Sequence, residues 1–153
     1  MFGIGRPRGS RYERTQLIDR PALPVPEPAA VLLQIAAEAV ILQDQAEEVL
    51  AAVSRHDHLG IVAPSAGPLV RRFFALREQL PERCGDPRLD RLRATLDTIF
   101  YHHAMQVATA LEFLAVDERS ERLHRQVSGF SGLGAPAVLL DDIYQELIRE
   151  RQG

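Results

Sequence analysis

Five histidines are the side chains of this 153-residue chain best suited to chemistry near neutral pH, and four of them fall in two close pairs, His56 with His58 and His102 with His103. Neutral imidazole nitrogens joined by a carboxylate form an acceptable ligand set for zinc or iron, because nitrogen suits a borderline metal and the carboxylate offsets its charge. If the fold brings the pairs together, Glu47, His56, Asp57, His58 and His103 are the candidate ligands. Spacing limits that reading. Adjacent helical residues diverge by about 100°, so His102 and His103 do not face one ion. A di-iron carboxylate site in a bundle needs two Glu-x-x-His motifs, and only Glu121 to His124 has that spacing. The His-Glu-x-x-His arrangement of a helical zinc site does not occur. A polar helix end explains His56-Asp57-His58 without a metal, and His103 sits in an apolar stripe where a buried polar partner would satisfy it.

The remaining reactive groups point less far. Cys84 lies beside Arg83 and ahead of a helix start, a setting that favours thiolate, but no second cysteine or neighbouring histidine completes a catalytic pair. The serines lack the glycine-flanked elbow of common hydrolases. Gly129-Phe130-Ser131-Gly132-Leu133-Gly134 offers backbone N–H groups ahead of a helix, yet it has no Walker lysine and no preceding strand, so it reads as a connector. Tyr101, His103 and Tyr144 are the polar groups available to a small-molecule pocket enclosed by helices.

These residues depend on helices for their positions. Leu32, Ile35, Ala36, Ala39, Leu42, Ala46, Val49, Leu50 and Val53 recur at three- and four-residue steps and predict a helix over 28–54. Gly60, Pro64, Gly67 and Pro68 predict a break, then a second helix over 66–82 with Ser65 as a candidate cap and Leu69, Phe73, Leu76 and Leu80 inward. Asp86 followed by Pro87 is a cap and first turn for a third helix, whose stripe runs from Leu89 through Leu96, Phe100 and His103 to Leu114. It is expected over 87–117 with a polar extension at 118–127. Pro136 opens a fourth helix over 136–151 with Leu140, Ile143, Tyr144 and Leu147 on one face. No segment alternates as a strand does. The expected fold is all-α, an antiparallel four-helix bundle over 27–153 preceded by an extended Arg/Pro/Gly-rich arm at 1–26.

Composition excludes several classes. A 46% hydrophobic and 25% charged chain is that of a globular protein, and a single cysteine rules out an intrachain disulfide. The net charge of −3 conceals a basic arm, in which five arginines stand against Glu13 and Asp19, on an acidic remainder. That acidic remainder and the lack of a basic recognition helix argue against nucleic-acid binding. Every one of the 18 basic residues is arginine. No apolar run approaches the roughly 20 residues of a membrane span and no signal-peptide core follows the first arginines, so a cytoplasmic protein without membrane insertion is expected.

Well-specified helices without a catalytic motif point to a noncatalytic protein-interaction or regulatory module. A metal-dependent enzyme or sensor and a helical small-molecule binder stay open beside it. The long third helix outruns the short second one, which predicts a homodimer through its far end at Val107, Leu111 and Leu114. Neither a substrate nor a reaction is legible.

Overall fold

The computed structural model describes residues 27–55, 57–115 and 132–153. The arm at 1–26, the extension at 118–127 and His56 lie outside the described residues. Four helices make up the rest: α1 (Pro28–Ser54), α2 (Leu59–Gln79), α3 (Pro87–Ala115) and α4 (Ala135–Gln152). No strand occurs among the described residues.

The interhelical pairs give the topology. Arg72 on α2 meets Glu38 on α1, whereas Val62 and Leu69 share a groove with Val49 and Ala52, so α1 and α2 run antiparallel. Arg77 pairs with Asp97, and Phe74 lies against Tyr101 farther along α3, which makes α2 and α3 antiparallel. On α4, Glu146 and Glu150 both reach Arg88, while Leu139 lies opposite Thr98 and His102. The chain therefore runs up, down, up, down, and the expected antiparallel bundle is the observed fold.

Each helix begins where the local chemistry requires. Pro28 fills the first turn of α1, where a missing N–H goes unnoticed. Asp86 accepts a 2.8 Å hydrogen bond from the Arg88 N–H and starts α3, as the Asp-Pro pair predicts. Arg93 Nε donates to the Pro81 carbonyl at 2.9 Å and ties the α2–α3 connection down.

Inside, Ala36, Ala39 and Ala46 of α1 and Ala104 and Ala110 of α3 are fully buried beside Leu32, Leu42, Leu96 and Phe100. Small side chains at a helix contact let the axes approach closely. Phe73 fills the space on the α2 side, 6.5 Å from Phe100 between ring centroids. By length and composition α1 is apolar enough to cross a membrane, although its apolar stripe forms the core of the bundle.

The start of α2 corrects the sequence reading. The helix begins at Leu59 rather than 66, and it carries Pro64 and Pro68 inside it. Ser65 is not a cap: its hydroxyl donates to the Val62 carbonyl within the helix. Proline removes a helical hydrogen bond and crowds the carbonyl four residues back. Burial of Val62, continuous with that of Ala66 and Leu69, offsets that cost, and the Val62 part of it comes with the helical turn at 59–65. Pro64→Ala should therefore stabilise the protein by about 1–2 kcal/mol, since restoring the helical N–H outweighs the added freedom of the unfolded chain. Thermal unfolding checks it; a lower melting temperature would mean that Pro64 rigidifies a loop.

Candidate functional site

One polar network crosses the centre of the bundle. His103, on the inner stripe of α3, has no exposed surface. Its Nε2 lies 2.8 Å from Oε1 of Gln43 on α1. The amide nitrogen of Gln43 in turn donates to the Ala137 carbonyl and to Asp141 Oδ1 on α4, each at 3.2 Å. Those two acceptors fix the amide orientation and leave Oε1 to accept, so the His103 proton sits on Nε2. Phe73 of α2 meets the imidazole edge to face at 5.5 Å. A single side chain thus touches or is linked to all four helices.

The other ring nitrogen, Nδ1, is buried with no hydrogen-bond partner among the described residues. A proton added there would place an uncompensated charge in the core. Desolvation by burial, reinforced by neighbouring His102, pushes the His103 pKa down to about 4. At neutral pH the imidazole is uncharged and serves as a hydrogen-bond donor.

A second polar junction lies one turn farther along α1. Glu47 accepts a 3.1 Å hydrogen bond from the Leu133 N–H and holds the segment that leads into α4. Gly132 beside it has φ +93°, and a Cβ there would lie 2.5 Å from Glu47 Oε2. Glycine is required twice over, by the backbone conformation and by the carboxylate.

The proposed metal ligands are thus placed in different settings. Glu47 holds the entry to α4, and His103 is bonded to Gln43 in the core. The Asp57 carboxylate faces Arg55 at 3.5 Å, and the carbonyl of His58 accepts the first N–H groups of α2. Among the described residues no group of three or more His, Cys, Asp or Glu side chains is arranged to hold a metal ion. Nor do the three ligand-binding candidates gather. Tyr101 stacks on the surface with Phe74 and Arg77, Tyr144 lines a groove against Ala30, Gln34 and Ala37 of α1, and His103 is in the core.

The far end of α3 is used internally. Val107 is fully buried and Leu114 nearly so within the chain's own core, and Leu111 is half-buried. Cys84 is buried too, with its thiol pKa raised chiefly by desolvation and then by Asp90, the opposite of activation.

Sequence reasoning passed over Gln43 and Asp141. The signal for Gln43 was present: it sits between Leu42 and Ala46 on the apolar stripe of α1, a polar residue where the pattern requires an apolar one. Comparison with known proteins found no matching protein-family model, no matching curated protein and no matching solved structure. Fold and site together define a four-helix bundle with a buried His–Gln junction.

Two outcomes follow. The folded state disfavours protonated His103, so its contribution is complete above about pH 6.5 and is lost as pH falls toward about 4, a total of about 3 kcal/mol. Urea unfolding between pH 7.5 and 4.5 should show this slope, and His103→Leu should flatten it while losing about 1–3 kcal/mol at pH 7.5, where Gln43 is left unpaired. Gly132→Ala should destabilise by about 1–3 kcal/mol through the left-handed backbone and the displaced Glu47 carboxylate. Glu47→Ala should relieve part of that loss in the double variant.

Proposed function

We propose that this chain is a noncatalytic helical module that works by binding protein, with the face between α3 and α4 as its contact surface. The observation that carries this reading is an apolar groove of about 270 Å³ on that face, walled by Thr95, Thr98, Ile99 and His102 of α3 and by Pro136 and Leu139 of α4. The threonine hydroxyls are turned back onto their own helix, Thr95 to the Arg91 carbonyl at 2.9 Å and Thr98 to the Ala94 carbonyl at 3.2 Å. Their methyl groups are what remains for the groove.

Leu139 on its rim is 44% exposed, on a helix whose inner stripe of Leu140, Ile143 and Leu147 already supplies the core. Surplus apolar surface next to a concave apolar site gains free energy when a partner covers it, at about 25 cal/mol per Å². A groove of this size suits one or two hydrophobic side chains of a protein partner.

Replacing Leu139 with a photo-crosslinking amino acid in the full chain, in the cells that produce it, tests this reading. Irradiation should give an adduct of defined mass from position 139 and none from position 71 on α2. No adduct from position 139 sinks the proposal. Stoichiometric zinc or iron in protein purified without a metal-binding tag, lost when His56 and His58 are replaced, would overturn it in favour of a metal-dependent function.

A further inference from the structure

The α3–α4 face carries both a hole and a knob. The groove between the helices is the hole, and Leu139 on its rim is the knob. A surface that bears both complements itself, which is the condition for a twofold contact.

Charge on the same face selects the arrangement. Arg91, one turn before Thr95 on the stripe of α3 that lines the groove, is exposed and forms no ion pair with a described residue. Asp142, one turn after Leu139 on α4, is likewise exposed and without an ion pair among the described residues. The two helices are antiparallel, with Arg88 level with Glu146 and Glu150 and with Thr95 and Thr98 level with Leu139. Arg91 and Asp142 therefore flank the face within about one helical turn of each other, the cation on the α3 side and the anion on the α4 side. A twofold axis along the groove lays α3 of one copy over α4 of the other. It brings each Arg91 within a side chain's reach of the other copy's Asp142 and each Leu139 onto the other copy's groove.

Resting on the reading of this face as a protein-contact surface, we infer that its occupant is a second copy of the same chain, paired about a twofold axis along the α3–α4 groove. The contact uses none of the buried residues at the far end of α3. Its centre is apolar and its rim consists of two identical Arg91–Asp142 pairs, which set orientation more than affinity.

Sedimentation analysis of the purified full chain, with circular dichroism to verify the fold of each variant, tests the inference. Wild type should be dimeric in the tens of micromolar and Leu139→Glu monomeric. Arg91→Glu and Asp142→Arg should each weaken the dimer about tenfold or more at low salt, because each sets like charges against each other at both rims. An equimolar mixture of the two should recover wild-type association, since both rims then pair opposite charges. A single monomeric species throughout the micromolar range overturns the inference, as does a dimer indifferent to Leu139→Glu or a mixture that fails to recover. If the chain is monomeric while position 139 still crosslinks to a different protein, the contact surface stands and only its self-association falls.

Discussion

The bundle is organised around the hydrogen bond between His103 and Gln43. Apolar stripes tell helices which faces to bury but discriminate poorly between neighbouring registers, because a leucine that slides by one turn meets another leucine. A buried imidazole that donates to one amide oxygen has a single acceptable position. A register that separated the pair would leave a donor and an acceptor unpaired in a low-dielectric core, at about 1–3 kcal/mol each. Gln43 extends the constraint by donating to Ala137 and Asp141 on α4, and Phe73 extends it to α2 by packing against the ring edge.

The surface repeats the same logic more weakly. Arg72–Glu38 links α1 to α2, Arg77–Asp97 links α2 to α3, and Arg88 with Glu146 and Glu150 links α3 to α4. Exposed ion pairs contribute only about 0–1 kcal/mol each, so these contacts agree with the register rather than impose it. Arg77 illustrates why arginine serves well there: its guanidinium engages Asp97 through Nε and a terminal nitrogen while lying over Tyr101. A lysine ammonium lacks the planar fork that does both.

The polar side chains at the centre of the bundle serve its architecture. His103, Gln43 and Glu47 are occupied by other parts of the chain, and each holds a helix junction. The groove between α3 and α4 is largely apolar, with the threonine hydroxyls turned away from it and with Arg91 and Asp142 exposed on its flanks. That division accords with a module that acts through its surface and keeps its polar core for architecture.

Helix content was legible from spacing alone. The stripe of α1 predicts 28–54 and the helix spans Pro28–Ser54; Asp86-Pro87 marks the start of α3; Pro136 marks the start of α4 to within a residue. These signals are local, set by caps, proline geometry and a period of 3.6. The start of α2 was not legible, because Pro64 and Pro68 read locally as breaks, and only the packing of Val62 and Ala66 in the assembled bundle offsets them. The candidate site was legible in part: His103 stood out on its stripe, but its partner lies 60 residues away on another helix. Glu47 and His103 were both visible as titratable side chains, and whether they hold a metal or a helix junction depends on what lies opposite. By itself the sequence determined which residues turn inward along each helix. The tertiary structure decided which inward residues meet, and so which surplus apolar side chains, Val138 and Leu139 among them, are left on the outside. Periodicity is a property of one helix, whereas partnership is a property of two.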